Sequence, residues 1–372
     1  MSDVEIEDPQ ALVRAVIQRI ATGPELSKDI SREEARATMR FILEGRVDPV
    51  QAAIFFIALR MKRETDDENI GVLEALIEAT TRVTAEVDEV VDLVDPYDGY
   101  NRTLPPSPFL PAVLAACGVP TLSQGVESMG PKYGLTHHRV LRVAGHRVDL
   151  TPAEAAARLA DPAAGWAYLD QSRSCPSLYA LTGLRTKMIK RPVLTTVEVL
   201  TRPVSGRRHT HLVTGYVHKP YPRLYALLAR HAGFDSALLV RGTEGGVVPS
   251  LRQAGKCVYY RNHGEEQDLD LDPAVAGIHQ SVRAAPLPED LPTAPRSGDE
   301  VSVAVDIDAM ARAALAAGLE ALAGKAGPVY DGLVYGGALV LSHLGRAESL
   351  SAAADRVREV LDSGEALARF QI

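Results

Sequence analysis

The stretch from Val90 to Thr103 constrains the fold of this chain more than any other. It opens with an apolar, β-branched run that is typical of a short buried strand, and continues into a polar loop that contains Asp98-Gly99 and Asn101-Arg102-Thr103. A helix is predicted next, from Pro108 to Cys117. In α/β folds, such loops lie at the carboxyl ends of strands, where ligands bind. The stretch therefore predicts either an anion site, with Arg102 as a charged donor, or an ordinary surface turn.

Four amphipathic helices are predicted before this stretch, each with a strong start signal. The signals are two N-cap and proline pairs, Asp8-Pro9 and Asp48-Pro49, and two capping boxes, Ser31 with Glu34 and Thr65 with Glu68. After them, strands and helices alternate, which predicts a mainly parallel sheet with helices on both faces. We predict an α/β protein with an N-terminal helical domain, residues 1–88, joined by helices from residues 175–200, and a larger α/β domain, residues 89–372.

The alternation predicts individual elements as well. The predicted strands are Val90–Val94, Pro120–Leu122, Tyr168–Leu169, Leu212–Val217, Ala237–Val240 and Cys257–Tyr260. The proline-rich segment from Arg283 to Asp299 is typical of a linker or a long excursion. Three helices are predicted to end the chain, at about Asp306–Ala323, Pro328–Leu344 and Ser349–Leu361.

Composition limits the function classes. The chain has 372 residues and a formal net charge of −8, which argues against a protein whose whole surface binds nucleic acid but leaves room for a local basic groove. Cys117, Cys175 and Cys257 are far apart and lack metal-ligand spacing, so they fit buried thiols in a reducing compartment. Because no apolar run reaches membrane-spanning length and no signal-peptide pattern is present, we expect a cytoplasmic protein.

Two further loops carry residues that suit ligand binding. The stretch from Ser123 to Thr136 follows a short strand and holds three glycines together with Ser128, Lys132 and Tyr133. It predicts either a second anion-binding loop or a long ordered loop. Residues 241–246 place Glu244 in a glycine-rich turn after a strand, where a single carboxylate makes a poor metal site.

A group of basic residues lies between residues 185 and 208. It predicts a site for a phosphate-bearing ligand, a groove for a nucleic-acid backbone, or a solvated face. The group consists of Arg185, Lys187, Lys190, Arg191, Arg202, Arg207 and Arg208. Among the histidines, His209 and His211 have no third ligand nearby in the sequence, so we favour structural or surface roles for them.

The residues from Gln51 to Thr65 are similar to the signature Q-x-A-A-F-L-x-A-L-R-x-K-G-E-T. Residues Thr182 to Thr186 resemble a Leu-Gly-x-Arg-Thr motif, and Met129 to Leu135 stand where a Lys-His-Gly-Asn-Arg loop is expected. By these motifs, the chain resembles the anthranilate phosphoribosyltransferase family, which is grouped with pyrimidine nucleoside phosphorylases as family 3 glycosyltransferases. The resemblance covers nearly the whole chain.

The resemblance implies a helical subdomain, an α/β domain and a cleft between them. Phosphoribosyl pyrophosphate (PRPP) and Mg²⁺ would bind on the α/β side, and a flat nitrogenous acceptor would enter from the helical side. The phosphate- or anion-binding residues would be Asp98, Gly99, Asn101, Arg102, Thr103, Ser128 and Lys132. The acceptor-side residues would be Tyr133, Arg185 and Lys187. The family also implies a homodimer formed through the helical domain.

The chain departs from the family at two places. The family's Gly-Thr-Gly-Gly-Asp diphosphate loop is replaced by Asp95 to Thr103, and its acidic metal pair falls at Val247-Val248. Glu244 is the carboxylate nearest in sequence to that pair, so it is the candidate ligand for Mg²⁺.

Two main hypotheses follow. In the first, the chain is a divergent phosphoribosyltransferase-like glycosyltransferase, with a phosphorylated small molecule in the interdomain cleft and an unidentified nitrogenous acceptor. In the second, it is a non-catalytic binder of nucleic acid or another polyanion that uses Lys187, Lys190, Arg191, Arg207 and Arg208. A scaffold protein that kept the fold and lost the site is a third reading. We favour the first hypothesis and expect no membrane partner.

Overall fold

The N-terminal region is helical, as the start signals predict. The computed structural model describes residues 8–23, 25–295 and 304–372. Its first helices are α1 (Pro9–Ile20), α2 (Arg32–Leu43), α3 (Pro49–Lys62) and α4 (Asp66–Ala79). Both predicted capping boxes form, and the Asp8 and Asp48 carboxylates accept N–H groups of the first turns of α1 and α3. These caps satisfy backbone donors that have no partner within the helix.

A seven-stranded sheet forms the centre of the rest of the chain. The strands of the protein are β1 (Val83–Thr84), β2 (Glu89–Val94), β3 (Thr121–Gly125), β4 (Trp166–Asp170), β5 (Val204–Ser205), β6 (His209–Gly215), β7 (Ser236–Val240), β8 (Gly255–Tyr260) and β9 (Gln267–Leu271). The order in the sheet is β4-β3-β2-β6-β7-β8-β9, while β1 pairs with β5 alone. From β4 to β7 the neighbours are parallel, and β8 and β9 add an antiparallel edge. The predicted α/β class with a mainly parallel sheet is confirmed.

Helices cover both faces of this sheet. They are α5 (Leu110–Ala116), α6 (His137–Val143), α7 (Pro152–Ala160), α8 (Gln171–Ser174), α9 (Pro176–Tyr179), α10 (Thr182–Met188), α11 (Leu194–Val197), α12 (Tyr221–Ala232), α13 (Ile307–Leu322), α14 (Pro328–His343), α15 (Leu350–Asp362) and α16 (Glu365–Phe370). None of the described helices is long and apolar enough to cross a membrane.

Alternating residues of β2 divide the core between the two faces. Val91 and Leu93 pack with the C-terminal helices, whereas Val94 belongs to a core shared with the N-terminal helices. The segment from α8 to α11 joins that second core through Leu178 and Leu194. Because this core includes both the helical region and one face of the sheet, the exact domain boundary at residue 88 stays a prediction. Cys117, Cys175 and Cys257 are buried and unpaired.

The proline-rich segment is not a free linker where it is described. The N–H of Leu104 donates to the carbonyl of Ala285 at 2.9 Å, and Thr103 forms a β-bridge with Pro286. Residues 296–299 of the predicted linker lie outside the described residues. The segment therefore packs against the end of the loop that follows β2.

Candidate functional site

The strand order places a crevice at the carboxyl ends of β2 and β6. From β2 the chain moves outward to β3 and β4, and from β6 it moves outward in the opposite direction to β7. In open α/β sheets, the loops at such a reversal are the usual ligand site. Three loops meet here: a first loop, residues 95–103, a second loop, residues 126–136, and a third loop, residues 241–246.

The first two loops are joined by backbone hydrogen bonds. The N–H of Tyr100 donates to Leu135 O at 2.9 Å, the N–H of Leu135 returns to Tyr100 O at 2.7 Å, and the N–H of Gly134 donates to Asp98 O at 2.9 Å. Gly99 has a φ of 76°, a conformation that favours glycine, and an added Cβ would overlap the backbone of Gly134. The two strand–loop–helix units predicted from the sequence therefore form one surface.

Glu244 of the third loop places its carboxylate on hydrogen-bond donors of the first loop. Its oxygens accept the N–H of Asn101 at 3.0 Å, the N–H of Arg102 at 3.0 Å and the hydroxyl of Thr103 at 2.8 Å. These donors converge on one negatively charged group, which is the arrangement of a backbone anion cradle. In this structure, Glu244 is thus an anion bound by the first loop and not a free metal ligand.

Asp98 is held by two cations. The Lys132 ammonium lies 3.2 Å from Oδ1 of Asp98, and Arg191 donates from Nε to Oδ2 at 3.2 Å and also from its terminal nitrogen. Lys132 also donates to the carbonyl oxygens of Gly99 at 2.6 Å and Glu244 at 3.3 Å. Lys132 therefore ties all three loops together, and the Asp98 carboxylate is already neutralised.

Asp95 lies beneath the surface and connects the first loop to neighbouring segments of the chain through hydrogen bonds. Its Oδ2 accepts hydrogen bonds from Tyr100 at 2.7 Å, from His137 at 2.9 Å and from Ser107, while Oδ1 accepts the N–H of Val247 at 3.0 Å. Burial by itself raises the pKa of Asp95, but the hydrogen bonds from His137, Ser107 and Tyr100 outweigh it and hold the pKa below its ordinary value.

This buried network resembles a Ser-His-Asp triad but is not placed for nucleophilic catalysis. His137 bonds Asp95 through Nε2 and Ser123 through Nδ1, the latter at 2.7 Å. Ser107 and Ser123 have no exposed surface, and His137 is 3% exposed. Since a nucleophile must reach its substrate, the network holds the loops in place instead.

The predicted acceptor-side residues are dispersed. Arg185 is buried and forms a bidentate ion pair with Glu198 at 2.5 and 2.7 Å, so its guanidinium is used within the protein. Lys187 lies beside α1 and α3, in an apolar groove. Within the described part of the chain, Ser128, Tyr133 and Lys187 make no hydrogen bond to the first or third loop.

The predicted basic group does not form one surface. Arg207 and Arg208 precede β6 at the amino edge of the sheet, where both lie near Asp88 and Arg207 pairs with it at 3.0 Å. Arg191 contacts Asp98, which follows β2 at the opposite, carboxyl edge. A single nucleic-acid groove that uses all of these residues is therefore wrong for this fold.

Comparisons with known proteins agree with this architecture. Residues 14–80 match the profile of the glycosyl transferase family, helical bundle domain. The chain is 30% identical over 225 residues to an uncharacterized protein of Aquifex aeolicus, a match that covers 60% of this chain and 65% of that protein. It is 28% identical over 341 residues to the anthranilate phosphoribosyltransferase of Methylobacterium radiotolerans, covering 91% and 90% of the two chains.

The fold of a solved structure agrees over the whole length. Anthranilate phosphoribosyltransferase from Saccharomyces cerevisiae, in complex with PRPP and Mg, superimposes with a TM-score of 0.76 at 15% identity, covering 97% of this chain and 96% of the yeast chain. The chain is similar to anthranilate phosphoribosyltransferases over nearly its whole length. These relatives are transferases, and the predicted resemblance to anthranilate phosphoribosyltransferases is confirmed.

The described residues of this site do not form a ligand set for Mg²⁺. The positions of the expected acidic pair hold Val247 and Val248, which are buried, and both oxygens of Glu244 accept donors of the first loop. Among the described residues, no group of three or more histidine, cysteine, aspartate or glutamate side chains could hold a metal ion. Because Mg²⁺ takes oxygen ligands, the residues present do not fit it.

Two contacts of the site are not predicted by the sequence. Arg191, which pairs with Asp98, is predicted only as part of the basic group, and Glu244 is predicted as a metal ligand. In the sequence, only the glycines on both sides of Glu244 indicate that this residue lies in a closely packed turn.

Proposed function

We propose that this protein binds the phosphate groups of a phosphorylated ribose at the first loop and transfers the pentosyl group to a nitrogenous acceptor. The observation that supports it is the convergence of the N–H groups of Asn101 and Arg102 and the hydroxyl of Thr103 on one carboxylate. Donors that already hold one anion are suited to hold a phosphate oxygen. Their place at the strand-order reversal supports the same proposal.

In the proposed reaction, the bond between the anomeric carbon of ribose and the leaving phosphate oxygen breaks, and the leaving group keeps the electron pair. The acceptor nitrogen forms the new bond to that carbon and then releases its proton to water. Donors fixed in the first loop would stabilise the charge that develops on the leaving group. The guanidinium of Arg102, whose backbone N–H is one of these donors, would supply a forked cationic donor.

A ligand panel tests this proposal by thermal unfolding and calorimetry, with PRPP, ribose 5-phosphate, inorganic pyrophosphate and DNA, each with and without Mg²⁺. We expect PRPP to raise the melting temperature by about 2 °C or more at saturating concentration. Thr103→Val should weaken PRPP binding by about three- to tenfold, since it removes one hydrogen bond to the ligand. The matched control is Thr84→Val on β1, outside the three loops, which should leave binding unchanged.

Transfer itself is measured as pyrophosphate release from PRPP in the presence of aromatic amines and nitrogenous bases. Failure of every phosphorylated ribose to bind would refute the proposal. Salt-dependent binding of DNA in place of PRPP would support the polyanion hypothesis instead.

We also propose that the chain forms a homodimer through its helical region. The supporting observation is an exposed apolar face around α3, where the side chains of Val50 and Met61 are 67% and 74% exposed. The face borders an open groove of about 600 Å³ between α1, α3 and α10. Clustered apolar exposure of this kind is typical of an interaction surface.

A further inference from the structure

The third loop is built to insert the Glu244 side chain into the first loop. Glu244 has a φ of 55°, a left-handed conformation that is uncommon for a residue other than glycine. An added Cβ at Gly242 would overlap the carbonyl of Gly246, and one at Gly246 would overlap the hydroxyl of Tyr100. The third loop is thus tightly folded on itself at Gly242 and closely packed against the first loop at Gly246, in an arrangement that carries the Glu244 carboxylate to the donors.

Further hydrogen bonds hold the third loop in this position. The N–H of Thr243 donates to Val248 O at 2.9 Å, and the N–H of Gly246 donates to Thr243 O at 3.0 Å. Lys132 reaches the carbonyl of Glu244 at 3.3 Å. A strained backbone persists only where surrounding contacts determine it, and such strain is concentrated at ligand clamps and switch regions.

We propose that the Glu244 carboxylate is an internal competitor for the anion site of the first loop, so that a phosphate group binds there only by displacing it. This inference rests on the proposed function, because it concerns the same donors. The ligand class it selects is a phosphate or diphosphate, which brings more charge and more acceptor oxygens than the carboxylate it replaces. A ligand that carries a single carboxylate has no such advantage and is excluded.

Competition of this kind lowers the apparent affinity, which equals the intrinsic affinity multiplied by the fraction of molecules in which the site is open. A minor open state populated at about 1–10% weakens binding about 10- to 100-fold. Removal of the carboxylate eliminates that cost, since the donors then have no internal anion to release.

The experiment uses titration calorimetry of the full chain with inorganic pyrophosphate as the probe. Glu244→Gln removes the charge and keeps the shape, and we expect it to bind pyrophosphate about 10- to 100-fold more tightly than the unaltered protein. Adding Thr103→Val to Glu244→Gln should remove part of this gain, which assigns the new binding to the first loop. Glu244→Asn serves as a second variant, because asparagine tolerates the left-handed conformation.

The matched control is Glu265→Gln, which removes one negative charge from the exposed turn between β8 and β9, at the opposite edge of the sheet. It should bind pyrophosphate as the unaltered protein does. An equal gain in Glu265→Gln would mean that net charge, and not competition at the cradle, controls binding, and the proposal would be wrong.

The outcomes also separate this inference from the proposed function. If the unaltered protein and the Glu244 variants bind pyrophosphate equally well, the carboxylate does not compete, although the proposed function stands. If only the variants bind, Glu244 closes the site and the unaltered chain is not a transferase that uses it. If neither binds, both proposals fall.

Discussion

Asp92 lies on the central strand β2 and is fully buried, with Gln124 donating to both of its carboxylate oxygens at 2.7 Å. Burial raises the pKa of Asp92 to about 7 from an ordinary value of 3.8, against the opposing effect of the Gln124 hydrogen bonds. Between pH 4 and 7 the folded protein therefore retains a proton that the unfolded chain releases. The Asp92 carboxyl group therefore lowers the free energy of unfolding progressively as the pH rises from 4 to 7. The full loss is present above pH 7.

We predict that Asp92→Asn becomes more stable relative to the unaltered protein as the pH is raised. The gain between pH 4.5 and 8 should reach about 3 kcal/mol, at about 1.4 kcal/mol for each unit by which the pKa is raised. The measurement is the free energy of unfolding by urea at several pH values. Asp290→Asn, at an exposed position, is the control. A difference that does not change with pH would show that Asp92 is not the titrating group.

Single residues show what the sequence could predict of the site. The first loop and Lys132 were predicted as an anion-binding surface, because strand–loop–helix order and loop composition are local properties. The contact of Glu244 with that surface was not predicted, because Glu244 lies 142 residues beyond Arg102 in the chain. Arg185 illustrates the same limit. Its motif resembles an acceptor-side sequence, but the chain turns after α10 and brings the Glu198 carboxylate onto the Arg185 guanidinium.

At the scale of elements, every predicted strand is present, whereas three strands and the helices α8 and α16 of the described residues were not predicted. The strands β1 and β5 have two residues each, too few to show a pattern, and β9 is an acidic edge strand whose first four residues are exposed. The helices predicted from residues 175–200 are the short helices α9, α10 and α11. Pro176 and Pro192 interrupt the region, since proline removes a backbone donor and restricts the residue before it.

Helix α13 offers a test of how closely the C-terminal helices pack. Gly318 lies inside α13, where alanine usually stabilises a helix by about 0.5–1 kcal/mol. Here an added Cβ would overlap the ring of Phe109, which is fully buried. We predict that Gly318→Ala destabilises the protein by about 1–3 kcal/mol, because the core cannot accept the added methyl group without shifting.

The control for this prediction is Gly183→Ala in α10, where an added Cβ meets no atom within 4 Å. It should be neutral or stabilising in the same urea unfolding experiment. Equal stabilisation by both substitutions would mean that α13 packs less closely against Phe109 than the structure indicates.

At the scale of the whole molecule, the helical region presents an exposed apolar face. Val50 and Met61 on α3 are joined on this face by Ile54, which is 39% exposed. The face lies on the helical region, whereas the three loops of the candidate site lie at the carboxyl edge of the sheet. Association of two subunits through this face would leave those loops open. A stable dimer requires a total buried area of roughly 1,200–2,000 Å².

We predict that the protein is a dimer in solution and that Val50→Glu combined with Met61→Glu makes it monomeric. In a two-fold interface each substitution occurs on both subunits, so the introduced carboxylates are buried and repel one another. Analytical ultracentrifugation measures the mass. Val275→Glu, which replaces an apolar side chain that is 54% exposed but lies outside this face, should leave the dimer intact. An unaltered protein that sediments as a monomer would refute the proposed dimer. Dissociation by Val275→Glu would instead place the interface on the opposite, C-terminal side of the molecule.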